Sequence, residues 1–264
     1  MEAPRVIELH DEVKILAVLE SDRVWAAYAL CDLDQPYRRH ARFVASMVGG
    51  QADAVLLIYR PPGFSVLVPC GQAGGVQRIM EEVRDLPEAP LVMLREDDAP
   101  FFESRYHLER PTSMLRMVVT AGRLLQAGRC DAKIVRLTPA DWPQLEALYR
   151  LWPENSFRPE MLEHGVAFGG FDGERLVAAA GAHAMSPRYR IGTIGGVFTH
   201  PDYRSRGLAK AVTAGAAEAL VDAGIEDIAL NVYAQNEPAI SAYRRIGFVP
   251  CMGFAETQAT LRSW

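Results

Sequence analysis

Cysteine is scarce in this 264-residue chain: Cys31, Cys70, Cys130 and Cys251 lie far apart and form no CxxC pair. That spacing excludes the disulfide framework of small secreted domains and carries no zinc signature, so isolated thiols in a reducing compartment and no bound metal are expected. A basic excess is also missing. Lys and Arg number 28 against 33 Asp and Glu, for a net charge of -5, and a nucleic-acid binder ordinarily needs a cationic footprint against the phosphates. No apolar run approaches the roughly 20 residues that cross a bilayer. The opening MEAPRVIELHDEVKIL places acids where a signal peptide needs a basic stretch and an unbroken apolar core. Neither a nucleic-acid nor a membrane partner is therefore expected, and a cytoplasmic location is. Low-complexity tracts and short solenoid repeats are absent as well.

What is present is the mixture of a folded protein, 49% hydrophobic and 23% charged, at a length suited to two domains of ordinary size. Residues 7–30 carry apolar side chains at helical spacing, with a break and a fresh N-cap at Ser21-Asp22, and a second helix is predicted from about Gln35 to Met47. AVLLIYR, stopped by Pro61-Pro62-Gly63, reads as a strand, as do FSVLVPC, APLVML and RMVVTA, with the helix GVQRIMEEV among them. The glycine-bearing stretch 122–131 has few bulky side chains and is placed as the boundary between domains 1–125 and 131–264. Beyond it come strand AKIVRL, a helix capped by Thr138, the hairpin VAFGGFD/RLVAAAGAHAM turning at Asp172-Gly173, and strand RIGTIGGVFTH. An alanine-rich helix ends at Gly224, strand IEDIALNVYA follows, and a short helix from Asn236 ends at Gly247. Interleaved strands and helices predict an α/β (α+β) fold with a mixed sheet.

Chemistry gathers in HPDYRSRGLAKAVTAGAAEAL, residues 200–220. A strand, a glycine-bearing turn and a helix start make an anion site, because first-turn N–H groups have no helical partner and the peptide dipoles favour negative charge there. Gly207 admits a diphosphate close to the main chain, Ala209 is the next smallest choice, and Arg204 and Arg206 can donate charge-assisted hydrogen bonds. Neither the P-loop nor the dinucleotide glycine spacing is met. The same letters also suit a helix that simply follows a polar loop.

The downstream segment IALNVYAQNEPAISAYRRIGF narrows this choice. VFTHPDYRSRGLA followed by LNVYAQNEPAISAYRRIGF resembles the paired motifs of the GNAT superfamily of acyl-CoA-dependent N-acyltransferases: an apolar strand end, Arg-x-x-Gly-x-Ala, then Asn, Tyr seven residues on, and Gly-Phe. The resemblance covers roughly residues 133–254. It implies a mixed GNAT sheet in which two parallel strands splay around the pantetheine arm of acetyl-CoA or another acyl-CoA. It further implies main-chain bonds from Val197 and Thr199, which flank Phe198, and diphosphate contacts from Arg204, Ser205, Arg206, Gly207, Leu208 and Ala209, with Asn236 helping to hold the cofactor. A backbone N–H beside Val197 would stabilise the oxyanion. Tyr243, counted among the cofactor contacts, would protonate the departing sulfur as general acid; the plain alternative is a tyrosine packed on the sheet.

The general base is less well marked. Where some family members carry glutamate this chain has Asn231, which cannot take a proton at neutral pH, so His183 is the preferred candidate and His200 the second. Either histidine can equally be structural. The first half carries no Arg-x-x-Gly-x-Ala, yet CGQAGGVQRIM precedes a helix and LVMLREDDAPFFESRYHL echoes the later segment, with Pro100 and Tyr106 standing for Pro238 and Tyr243. Two copies of one fold are expected, the first without its cofactor loop and shaping the acceptor cleft, as in tandem GNAT proteins. The function implied is transfer of acetyl from acetyl-CoA to a small-molecule or peptide primary amine by direct attack in a ternary complex. The alternative is a non-catalytic acyl-CoA-binding sensor on the same fold.

Overall fold

The structure, a computed structural model, describes residues 3–128 and 130–262. The chain forms two compact units. One contains the residues up to Leu115 together with those from Met252 onward, and the other is Arg116–Cys251. This division differs from the sequence expectation of a boundary within 122–131, since each unit takes a strand from the other half of the sequence.

The first half runs β1 (Arg5–Glu8), α1 (Glu12–Glu20), α2 (Ala27–Cys31), β2 (Ala41–Val48), β3 (Gln51–Tyr59), β4 (Val66–Gly71), α3 (Ala73–Glu82), β5 (Leu91–Leu94), α4 (Ala99–Glu103), β6 (Tyr106–Leu108) and β7 (Thr112–Thr120). The second half runs β8 (Lys133–Arg136), α5 (Trp142–Tyr149), α6 (Glu160–His164), β9 (Ala167–Asp172), β10 (Arg175–Ser186), β11 (Ile191–Thr199), α7 (Leu208–Asp222), β12 (Asp227–Tyr233), α8 (Glu237–Arg244) and β13 (Val249–Leu261). In the first unit the strands lie in the order β1-β2-β3-β4-β5-β13, with only β4 and β5 parallel among the registered neighbours. The second has β8-β9-β10-β11-β12-β7, and its parallel pair is β11 and β12. Apart from β6, which pairs with β13 off this path, element order, strand order and the place of the parallel pair are the same in both. A mixed α/β architecture with two similar halves is the result.

Local chemistry explains most of the elements. Asp11 accepts from the amides of Val13 and Lys14 at 3.1 and 3.3 Å and so starts α1. Thr138 and Asp141 form a reciprocal capping box that feeds α5. Helix α7 buries Leu208, Val212, Ala216 and Leu220 on one stripe, each larger side chain contributing about 1.5–3 kcal/mol relative to exposure. Its alanines keep the helix close to the sheet, where Phe168 lies against Gly215.

Three expectations need correction. The helix predicted over Gln35–Met47 is a 3-10 turn at Tyr37–His40 followed by strand β2, because Phe43, Val44, Ala45 and Met47 are all buried and short, mostly apolar runs do not tell a covered strand from a buried helix. Residues 5–8, partly inside the predicted first helix, form β1 instead. Tyr106 is not on a helix: α4 stops at Glu103, and Tyr106 opens β6 with its hydroxyl donating to the Pro87 carbonyl at 2.8 Å. Strand β13 had no counterpart in the sequence reading, since Pro250 and Gly253 break its pattern. Among the described residues no helix is long and apolar enough to cross a membrane, and no group of three metal-ligating side chains occurs.

Candidate functional site

The parallel strands of the second unit stay paired for only part of their length. Ile191 to Ile194 face Asp227 to Leu230, after which β11 continues to Thr199 and β12 to Tyr233 with no further register between the two strands. On the other side β11 remains bonded to β10: Ala179 faces Phe198, Ala178 faces Thr199, and the His200 amide donates to the Val177 carbonyl at 2.8 Å. Main-chain groups alternate sides along an antiparallel strand. Residues 198 and 200 therefore point theirs at β10, and the Val197 carbonyl and both main-chain groups of Thr199 point into the gap beside β12. The Thr199 hydroxyl is buried without a hydrogen-bond partner. Unpaired backbone of this kind suits an extended ligand that carries its own amides.

Two opposed irregularities shape the strand beside the gap. Between the pairs Ala179–Phe198 and Gly181–Gly195, β11 has one residue more than β10; between Ala182–Ile194 and Ala184–Thr193 the surplus is on β10, at His183, and register is restored. Gly196, in the first bulge, has φ +59°, and a Cβ on it would lie 2.6 Å from the Tyr149 hydroxyl and 3.0 Å from the Phe157 ring. Only glycine fits both the dihedral and the space. The Tyr149 hydroxyl donates to the Gly196 carbonyl at 2.6 Å. His183, in the second bulge, lays its ring over the bare Cα of Gly195 and tilts against Phe157 at 6.0 Å. Burial, reinforced by the Arg158 charge, pushes its pKa down to about 4, and its Nε2 is buried without a partner. The imidazole is thus neutral at ordinary pH.

Beyond the gap the chain turns through His200–Gly207 into α7. The His200 ring accepts from the Asp202 amide at 3.3 Å and meets Arg175 at 2.9 Å, so it holds the turn. Ser205 and Gly207 both have positive φ, +63° and +78°. Such a turn curls successive N–H groups toward one side. Gly207 is the N-cap residue and no side chain caps α7, which leaves the first-turn amides after Leu208 and Ala209 open to an anion. Arg204 and Arg206 are tethered only by long contacts of 3.5 Å to the carbonyls of Thr199 and Asp202, with Arg206 over the Tyr203 ring. Lys210 adds a cation in the first turn.

Helix α8 closes the arrangement. Asn236 caps it, its Oδ1 accepting from the Ala239 amide at 3.3 Å, and Pro238 sits in the first turn. Tyr243 is buried and tilted against Phe248 at 6.2 Å, and burial holds its hydroxyl pKa above the usual value, so it keeps its proton. On β12, Asn231 accepts through Oδ1 from the fully buried Arg116 at 2.9 Å.

The sequence profile of the Acetyltransferase (GNAT) family matches residues 132–248. Residues 132–248 are a GNAT acetyltransferase domain. The chain is also similar over its length to solved structures of that fold. A putative GNAT-family acetyltransferase from Novosphingobium aromaticivorans is 20% identical with a TM-score of 0.64, over 92% of this chain and 100% of the other. A GCN5-related N-acetyltransferase from Kribbella flavida is 17% identical at 0.61, over 92% and 95%. A tandem GNAT protein from the clavulanic acid biosynthesis pathway is 11% identical at 0.56, over 98% of both chains. No curated protein matches the sequence.

Within the GNAT domain the predicted residues differ in what they present. Val197, Thr199, Ser205, Gly207, Leu208 and Ala209 bring main chain to the gap and the helix start. Phe198 differs, because its main chain faces β10 and its ring stacks on Trp152 with centroids 5.7 Å apart. His200 is engaged at both ring nitrogens, whereas His183 has a buried ring nitrogen, Nε2, without a partner. Tyr149 and Gly196 were absent from the sequence reading. The doublet Gly195-Gly196 inside a strand was the available signal, since glycine there marks a bulge or a close approach. Nothing local marked Tyr149.

Proposed function

We propose that the chain transfers acetyl from acetyl-CoA to a primary amine by direct attack in a ternary complex. The observation that carries this reading is the parting of β11 and β12 after Ile194 and Leu230, followed by an α7 that starts at Leu208 with no side-chain cap. An extended pantetheine arm fits the backbone of Val197 and Thr199 that lies outside the β11–β12 register, and the orphaned Thr199 hydroxyl offers a further contact. A diphosphate fits the amides from Ser205 to Ala209, with Arg204 and Arg206 supplying charge. Asn236 spends its side-chain oxygen on the helix and keeps its amide NH2 for the ligand.

For the reaction, the amine arrives uncharged and attacks the thioester carbonyl. A C–N bond forms as the C–S bond breaks, and the Val197 N–H donates to the oxygen that gains charge. His183 takes the amine proton, directly or through a water, at its neutral Nε2. Tyr243 gives its proton to the departing sulfur. Asn231 takes no part in proton transfer, being an amide engaged with Arg116. No metal is required by this scheme.

Titration calorimetry with acetyl-CoA and free-thiol release over a panel of primary amines test the proposal together. Saturable heat and amine-dependent thiol release are expected. Binding without release for every amine would favour an acyl-CoA sensor, and no binding of acetyl-CoA would end the reading.

A further inference from the structure

We propose that Tyr149 is a positioning residue that aims the Val197 amide at the thioester oxygen by holding the Gly196 carbonyl. The inference deepens the acetyl-transfer reading above and rests on it. The Gly196 carbonyl and the Val197 N–H belong to one peptide unit, and in a trans peptide these two bonds point in opposite directions. Whatever fixes one therefore aims the other. Tyr149 donates to that carbonyl at 2.6 Å from the last residue of α5, on the face of the sheet where Phe157, Trp152 and Phe198 pack. The N–H of the same peptide is thereby directed away from α5.

The bulge makes such a clamp necessary. Gly196 at φ +59° has no side chain to resist rotation of the following peptide, and the extra residue leaves that peptide outside the regular ladder of β10. Tyr149 is itself fixed. It is buried, with Trp152 edge-on at 6.3 Å and Phe157 tilted at 5.9 Å. Its hydroxyl remains protonated because burial opposes the phenolate. Without that hydroxyl the buried carbonyl would lose this donor, and the peptide would gain by turning toward another one. The corresponding strand pair of the first unit, β3 and β4, keeps register from Ala54–Gly71 to Tyr59–Val66 with no bulge. The clamp and the kinked peptide thus occur together in the unit that carries the GNAT motifs.

Carbon NMR of bound acetyl-CoA labelled with 13C at the thioester carbonyl reads the donor directly and needs no knowledge of the amine. In the parent protein the carbonyl resonance is expected downfield of that of free acetyl-CoA. Tyr149→Phe should keep the acetyl-CoA affinity within about threefold while moving the resonance back toward the free value. An unchanged resonance in Tyr149→Phe, or a loss of acetyl-CoA affinity alongside it, would overturn the positioning role. If Tyr149→Phe does not fold, 3-fluorotyrosine at position 149 retains the hydroxyl as a stronger donor and should shift the resonance further downfield; no shift would also overturn the role. Failure of the parent protein to bind acetyl-CoA is a separate result and removes the underlying reading.

Discussion

Gly207 stands at φ +78° with nothing within 4 Å of the place a Cβ would occupy, so strain and charge can be separated at this one residue. Gly207→Ala adds only the left-handed penalty, roughly 1–2 kcal/mol, and should weaken acetyl-CoA about tenfold or less. Gly207→Glu adds a carboxylate facing the diphosphate and should abolish calorimetric heat. Equal losses in the two variants would remove the diphosphate from this turn. Tyr243→Phe retains the packing on Phe248 and deletes the proton. Turnover is expected to fall about 10- to 100-fold, toward the low end for a general acid because a thiolate leaves readily, with the dissociation constant nearly unchanged. His183 bears on stability as well. Folded it protonates near pH 4, against an ordinary value near 6.5, so the unfolded chain holds more protons between those limits. Stability contributed at this site is complete above that window and is lost as pH falls through it. Asp98, pushed up to about 6 by burial, acts with the opposite sign. The measure is therefore the difference between parent and His183→Gln in urea midpoint at about pH 4.5 and 7: the variant should lose less on acidification, and an equal loss would show His183 protonating freely in the fold.

At the scale of elements, the two β–turn–α units differ where the ligand would sit. In both, the residue after the strand donates back to the neighbouring strand, Gln72 to Asp53 at 2.9 Å and His200 to Val177 at 2.8 Å. Helix α3 then begins at once with Ala73, whereas α7 waits until Leu208. The missing residues are those that carry Arg204, Ser205, Arg206 and Gly207. Asp53, ion-paired with Arg78, also brings its carboxylate against the first turn of α3 at Gly75, where it would repel a second anion. Calorimetry should accordingly give one acetyl-CoA per chain, and two equivalent sites would contradict this. Much of this contrast was legible in the sequence, since Arg-x-x-Gly-x-Ala occurs once and its order is local. The bulges were less so. They depend on which residues of β10 and β11 face each other, a relation between segments that no single segment records. Strand β2 is hard to read locally for a related reason, its mostly apolar ARFVASMV showing no strand period until partners cover both faces.

For the whole molecule, the notable feature is the exchange of last strands: β13 lies beside β5 in the first unit, and β7 lies beside β12 in the second. Sequence reading saw two halves with a glycine-bearing link at 122–131, because local pattern reports where chain is irregular and not which strand completes which sheet. A fragment of residues 131–264 keeps every GNAT motif but lacks β7. It exposes the edge of β12, whose Ile228, Ala229 and Leu230 are buried in the intact chain, and an uncovered apolar edge invites association. The fragment is expected to aggregate or to unfold at lower urea than residues 112–264, as judged by light scattering and circular dichroism; equal behaviour of the two would show β7 to be dispensable. During synthesis the amino-terminal sheet emerges first yet gains its closing strand last, after all of the acetyltransferase half has left the ribosome. Its earliest-made half must therefore wait, with the edge of β5 uncovered, through the production of more than a hundred further residues, and a chaperone or a slowed ribosome has its greatest effect on this protein in that interval.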